Sequence, residues 1–355
     1  MQLLTKTDAL RFVSENTAVL DAAGNPSNPF ASSVWMRHFI DQVVEDAWTV
    51  VAPELDGDGR ALMLLYREAQ SPSRCLALTN YYASLYSPMA STARDRPQAM
   101  AALVQQLSAL RPRVGTVNFA PLDAASPDTA ALSAALSEQG WYVRRYFCFG
   151  NWTLPCDGLS FERYMATRDS QLRNTHARKA KKLLATGTLQ IAMRPDEVDA
   201  AMDAFDAVYA KSWKQVEPYP NFVRGWARSC AEQGWLRLGT VHINDVPIAA
   251  QFWFTIDRRA YIFKLAYDEA QAKWSAGTVL TAHMMQQALD VDRVVEIDYL
   301  TGDDAYKKSW MTQRRERIGL MACNLRSMPG LLAAATEFAG QTRARLRPRP
   351  AVVAA

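Results

Sequence analysis

The chain has 355 residues, 49% hydrophobic and 21% charged, a balance that excludes a disordered or fibrous protein and leaves room for two cores. Forty Lys and Arg against thirty-six Asp and Glu leave a net charge of +4, too slight to announce a nucleic-acid binder. Five cysteines without a Cys-x-x-Cys pair, and only four histidines, speak against a disulfide framework or a zinc site, so no metal is expected.

Strand-like and helix-like runs alternate through the first half. AWTVVAPE (47–54) and ALMLLYREA (61–69) read as strands, and QAMAALVQQLSALRP (98–112) as a helix stopped at Pro112. VGTVNFAPL (114–122) follows as a strand, PDTAALSAALSEQG (127–140) as a helix closed by Gly140, and WYVRRYFCFGNWTL (141–154) as a strand. The Pro, Gly and Ser of LPCDGLS (154–160) mark a domain junction, and FERYMATRDSQLRNTHARKAKKLLAT (161–186) is one long helical pattern.

The second half repeats the alternation. LQIAMRP (189–195) is a strand, 196–213 and 222–234 are helices, and 235–243 and 247–257 are strands joined by an Asn244-Asp245 hairpin turn. Strand 259–268, helix 275–290, strand 294–300 and strand 317–325 complete the series. The pattern predicts an α/β fold in two similar halves, with mixed central sheets flanked by helices. The expected divisions are a domain over 1–157, a second over 158–330, and a C-terminal helix with a Pro/Arg-rich tail over 331–355. The N-terminal MQLLTKTDALRFVSEN has no long apolar core, and no run of about 18 apolar residues occurs, so a cytoplasmic protein without a membrane span is expected.

Several residues stand out by position. The loop AKWSAGTVL feeds a helix, whose free first-turn N–H groups suit an anion. Ser275, Ala276, Gly277 and Thr278 are the candidates there, with Lys273 as an added charge, although Ser275 also suits a plain helix cap. In VVEIDYL the two-residue period puts Glu296 and Asp298 about 7 Å apart on one strand face, as candidate general bases or as ion-paired structural groups. The helix expected from Asp303 carries Tyr306, Lys307 and Trp310. Along 171–184 the residues Leu172, Ala177, Ala180, Leu183 and Leu184 form an apolar stripe, with Arg178, Lys179, Lys181 and Lys182 opposite. Arg173 and His176 fall on or beside that stripe, where they need partners and are candidates for the acceptor site. Tyr219, in the turn EPYPN, is a further acceptor-site candidate.

Three of these segments occur together in a known family: QLRNTHARKAKKL (171–183), AYDEAQAKWSAGTVL (266–280) and EIDYLTGDDAYKKSW (296–310). With them, residues 160–325 resemble the GNAT-type acetyltransferase domain of cellulose-biosynthesis CelD-like proteins, a group related in fold to FemAB-type aminoacyltransferases. The resemblance implies a GNAT fold, often doubled, and acetyl-CoA or another acyl-CoA as co-substrate held by Lys273 and Ser275–Thr278. It also implies a small-molecule or glycan acceptor, in exopolysaccharide or cell-envelope biosynthesis. Tyr306 becomes a candidate acid for the leaving thiolate, and Lys307 a partner for a phosphate or an acidic acceptor. The family loop usually reads Ser-Pro-Gly, whereas here it is Ser275-Ala276-Gly277. Two alternatives stay open: an aminoacyl-tRNA-dependent transferase, for which the basic helix would meet RNA, and a non-catalytic protein that binds a glycan or another partner.

Overall fold

A computed structural model describes residues 1–24, 28–54, 61–90 and 95–346. The chain divides into two compact units, one of Met1–Ile40, Val44–Cys148 and Arg317–Ala355, the other of Asp41–Val43 and Phe149–Glu316.

The first unit holds strands β1 (Gln2–Leu4), β2 (Thr49–Ala52), β3 (Ala61–Leu62), β4 (Leu65–Arg67), β5 (Arg74–Ala77), β6 (Met89–Ala90) and β7 (Thr116–Asp123). β3 and β6 pair as a separate ribbon. β1, β2, β4 and β5 are successive antiparallel neighbours, and β5 then pairs β7 in parallel. Helices Arg96–Ala109 and Pro127–Glu138 bury Met100, Leu103, Leu107, Leu132 and Leu136 in a core shared with Val117, Phe119 and Leu122. Their apolar positions recur every three or four residues, as an amphipathic helix on a sheet requires.

The second unit has β8 (Trp141–Pro155, of which Phe149 onward belongs here), β9 (Gly187–Ala192), β10 (Leu236–Ile243), β11 (Val246–Ile256), β12 (Arg259–Tyr267) and β13 (Glu296–Asp298). β9 to β12 are antiparallel neighbours, β12 pairs β13 in parallel, and β13 pairs β8 antiparallel. In the β10–β11 turn Asn244 and Asp245 both have positive φ, 50° and 63°, the geometry that fits the twist of a tight hairpin. A last strand, β14 (Gln313–Asn324), pairs β7 antiparallel from Arg317 onward. Each unit therefore has four antiparallel strands, one parallel pair and a final antiparallel strand, with helices packed on the sheet.

The unit boundaries fall inside β8 and just within β14, not at LPCDGLS. The reason is an exchange of final strands. β8 follows the first unit's helix in sequence yet pairs β13, while β14 follows the second unit's elements yet pairs β7. The C-terminal helix, Met328–Leu346, groups with the first unit, and residues 347–355 of the expected tail lie outside the described residues.

Other boundaries differ for local reasons. The pattern 161–186 forms two helices, Phe161–Ala166 and Ser170–Leu184, because the Asp169 carboxylate accepts from Leu172 N at 2.7 Å and starts a new helix. The expected strand 294–300 is regular only over Glu296–Asp298. The helix expected from Asp303 starts at Ala305, with Asp304 as its cap through Lys307 N at 3.0 Å.

Candidate active site

The parallel pair β12–β13 is short. Arg259 lies opposite Glu296, Ala260 opposite Ile297 and Tyr261 opposite Asp298, and the ladder ends there. Beyond it Tyr299 N donates to Trp152 O of β8 at 2.9 Å, while β12 continues beside β11 to Tyr267. β12 also has a bulge: Ile262 pairs Trp253 and Lys264 pairs Phe252, so Phe263 is an extra residue. A bulge bends its strand and re-aims its groups. The two strands part at this point, and among the described residues their ladder does not extend past Tyr261.

β12 leads into the anion-loop sequence. Asp268 caps the 3-10 turn Glu269–Trp274 by accepting from Ala270 N at 2.9 Å. Ser275 then takes a left-handed conformation, φ 51° and ψ 38°, and helix Ala276–Gln286 begins. Its hydroxyl makes no capping hydrogen bond, so the alternative of a plain serine cap is not what the structure shows. Ala276 occupies the first helical position, where a proline is also accommodated. The turn therefore keeps its form without the family's proline. The first-turn amides of Ala276, Gly277 and Thr278 lack helical acceptors by geometry, and the positive end of the helix dipole lies with them. The helix packs closely on β10: a Cβ at Gly239 would lie 2.6 Å from Met284 Sδ and 2.9 Å from Leu280 Cδ1.

The basic helix Ser170–Leu184 braces this loop. Lys179 Nζ donates to Lys273 O at 2.5 Å, and Lys182 Nζ lies 4.9 Å from the Trp274 ring centroid. Two lysines from the side opposite the expected apolar stripe are thus engaged with the loop. The Lys273 side chain is itself exposed.

A polar chain runs beneath the loop. Trp253 Nε1 donates to Gln251 Oε1 at 2.9 Å, which fixes the amide because an indole N–H can only donate. The Gln251 NH₂ group consequently donates to Thr281 Oγ1 at 2.7 Å and to Gly277 O at 3.2 Å. Thr281 Oγ1 lies 2.9 Å from Gly277 O and 3.0 Å from the Tyr306 hydroxyl. With one proton, Thr281 serves either Gly277 O or Tyr306. In the first arrangement Tyr306 gives its own proton to Thr281; in the second, that proton is released for another acceptor.

Tyr306 is 38% exposed, but its hydroxyl end is the enclosed one, and burial pushes its phenol upward while the Thr281 bond opposes this. Its ring meets those of Tyr299 and Trp310 edge-on at 6.4 and 6.2 Å. The Tyr299 hydroxyl is buried with no hydrogen-bond partner among the described residues. Thr281 is near enough to influence its ionisation but outside bonding geometry, and burial holds the phenol well above its usual range. An unpaired buried hydroxyl costs about 1–3 kcal/mol, so a ligand group that accepts from it has an incentive to bind.

The two strand carboxylates have different surroundings. Glu296 forms an ion pair with Arg315, with Nη1 to Oε1 at 3.0 Å and a second contact from Nη2 to Oε2. Asp298 is 6% exposed, and its Oδ1 accepts from Asn151 Nδ2 at 2.6 Å and from Leu300 N at 2.7 Å. Asp298 thereby holds the chain where Leu300 turns to a positive φ of 54°. Lys307 points inward: its Nζ donates to the carbonyls of Tyr299 and Thr301 and lies 3.9 Å from Asp304 Oδ2. Burial lowers its pKa, with Asp304 opposing and Lys214 adding to the drop.

Comparison with known proteins bears on the fold that carries this geometry. Residues 170–308 match a family profile described as acetyltransferase (GNAT) domain. The fold is GNAT-like. No curated protein is found to match the chain. Among solved structures the chain is similar to FemX, at 11% identity and TM-score 0.61, over 94% of this chain and 100% of that one. L-PGS from Bacillus licheniformis is similar at 11% and 0.53, over 94% and 96%. A tandem GNAT protein from the clavulanic acid biosynthesis pathway is similar at 12% and 0.51, over 90% and 98%. At such identities the likeness is one of fold.

The GNAT-type unit brings Ser275–Thr278 and Tyr306 together through the Thr281 chain. Other candidates are placed differently. Arg173 is exposed, as are Ala177 and Leu184, the last at 63%, so the apolar side of the helix is narrower than the stripe expected. His176 is half-buried with its ring edge-on to Phe161 at 5.9 Å, and burial lowers its pKa. Neither is bonded to Glu296, whose partner is Arg315. Tyr219 is half-buried, and its backbone carbonyl accepts from Phe222 N at 3.1 Å. Its neighbour Glu217, not among the candidates from the sequence, accepts from Tyr209 OH at 2.6 Å and pairs with Lys264 at 2.5 Å. A lone lysine in the apolar run YIFKLAY was the signal, since a charge within such a strand requires a partner. Among the described residues no group of three or more His, Cys, Asp and Glu side chains could hold a metal ion.

Proposed function

We propose that the unit of residues 149–316 transfers an acyl group from a CoA thioester, acetyl-CoA first, to an amine or hydroxyl of a small-molecule or glycan acceptor. One observation carries the reading: two parallel strands part after three paired residues beside a helix N-terminus whose entry residue, Ser275, does not cap it. The amides of Ala276, Gly277 and Thr278 would hold the pyrophosphate, and β12 backbone where the strand leaves β13 would polarise the thioester carbonyl. The acceptor attacks that carbon, the C–S bond breaks, and Tyr306 protonates the departing sulfur while the Thr281 hydroxyl turns to the Tyr306 oxygen. Asp298, where the strands part, is proposed as proton acceptor in preference to Glu296, which Arg315 holds. Lys307, Arg173, His176 and Tyr219 remain proposals for acceptor binding. Exopolysaccharide or cell-envelope assembly is the setting that the resemblance suggests.

A second reading, an aminoacyl-tRNA donor, is supported by the likeness to FemX and by the exposed Arg173, Arg178 and Lys181 on one helix. The thermal midpoint with acetyl-CoA, and the salt dependence of binding to charged tRNA, separate the two. A rise with acetyl-CoA supports the first. Binding to tRNA that weakens steeply with salt, without a response to acetyl-CoA, replaces it with the second.

A further inference from the structure

We propose that the acceptor carries an acidic group, a phosphate or a carboxylate, held by Lys214, Lys264 and Lys307 on the sheet face that bears Asp298. The inference rests on the reading of this unit as an acyltransferase. The strand register sets the face. Tyr261 lies opposite Asp298 on β13 and opposite Phe254 on β11, while Lys264 lies opposite Phe252. Phe252 and Phe254, two residues apart on β11, have ring centroids 6.3 Å apart, so Tyr261, Asp298 and Lys264 share one face. The extra residue Phe263 is what brings Lys264 to that side, since an unbulged strand would turn it to the other. Gln251 and Trp253, which lead to Gly277 and Thr281, belong to the opposite face. Lys264 therefore stands away from the proposed pyrophosphate loop, just beyond the end of the β12–β13 ladder.

The segment after helix Val198–Tyr209 brings the second lysine. Trp213 lies against Tyr267 with ring centroids 4.8 Å apart, and Glu217 pairs with Lys264, so residues 213–217 are pinned along β12. Lys214 reaches solvent and forms no ion pair of its own among the described residues. Partial enclosure lowers its pKa, with Lys264 adding to the drop and Glu217 and Asp304 opposing it, and Lys307 in turn feels Lys214. Lys307 approaches from beyond β13, where it donates to the Tyr299 and Thr301 carbonyls. Three ammonium groups thus meet two carboxylates, Glu217 and Asp304, while Asp298 already accepts from Asn151 and Leu300. This excess of positive charge disfavours an acceptor that brings only an ammonium. It favours one that brings a negative charge beside its amine or hydroxyl.

The test is trace acetylation of the full chain by acetic anhydride, with labelling of Lys214 and Lys264 read by mass spectrometry in the presence of glucose 6-phosphate, glucuronate or glucose. The anionic sugars should slow the labelling and glucose should not, and the sugar that protects at the lower concentration tells phosphate from carboxylate. Lys214→Gln should weaken the protection of Lys264 by about tenfold with little change in thermal midpoint, and Lys214→Arg should restore it. Equal protection by glucose, no protection by either anion, or protection that Lys214→Gln leaves unchanged overturns the proposal. So does protection by CoA alone, which would give these lysines to the donor's phosphates. The effect of acetyl-CoA on the thermal midpoint is read separately. Anion protection without that effect keeps the anionic ligand and removes the acyl donor, whereas the effect without anion protection keeps the donor and removes this site.

Discussion

Gly277→Asp puts a negative charge at the amides proposed to hold the pyrophosphate. Gly277 lies in the first turn of its helix, and an added Cβ would meet only Tyr267, at 3.5 Å. A carboxylate there favours the helix by about 0.3–1 kcal/mol through the dipole, so the ligand-free midpoint should hold or rise by a few degrees. A phosphate at the same amides meets it at about 5 Å, which at an effective dielectric near 20 costs about 3 kcal/mol per charge, or about a hundredfold in Kd. For the wild type, acetyl-CoA at about 100 times its Kd adds about 2.7 kcal/mol, which is about 5–11 °C at about 2–4 °C per kcal/mol. After a hundredfold loss the same concentration adds about 0.4 kcal/mol, a shift of about 1 °C. The assay is differential scanning fluorimetry with and without acetyl-CoA. An aspartate variant that keeps the full shift refutes the assignment of the loop. One that unfolds without ligand refutes the claim that the first turn tolerates charge.

Thr281→Val should cost about 1–3 kcal/mol by stranding the Gln251 amide and the Tyr306 hydroxyl, and Thr281→Ser should recover most of it; denaturant titration decides, and equal losses would refute the hydroxyl's role. Tyr299→Phe removes an unpaired buried hydroxyl, so the ligand-free protein should gain about 1 kcal/mol while its response to acetyl-CoA shrinks; a loss of stability would show that the hydroxyl has a partner. Burial holds the imidazoles of His176, His242 and His283 below the usual histidine range. The unfolded chain therefore takes up protons first as pH falls through about 6.5, and this contribution to stability is full above that pH and lost progressively below it. His176→Gln with His283→Gln should flatten the fall of the thermal midpoint between about pH 7 and 5; an unchanged slope would contradict the burial argument.

Much of the fold was legible because the β10–β12 meander and its helices carry plain two-residue and helical periods, and Asn244-Asp245 is a strong turn signal. The strand exchange was not legible. β8 and β14 have ordinary strand composition, and nothing local records which sheet a strand joins. The break at 167–169 was visible in principle as an Asp before a Ser, but a continuous helical period masked it. At the site, the loop and Tyr306 stand out as motifs, while the chain Trp253–Gln251–Thr281–Tyr306 joins three distant segments by contacts that only tertiary packing creates. The partner of Glu296 likewise comes from Arg315 on β14, beyond any period within β13.

The most direct measurement is hydrogen exchange of the amides of Ala276, Gly277 and Thr278, by mass spectrometry on a peptide spanning the loop, with and without acetyl-CoA. Pyrophosphate binding at these amides should slow exchange there, accompanied by protection along β12 past Tyr261. Acetyl-CoA that leaves the exchange of this loop unchanged, or protects another part of the chain in its place, would contradict it.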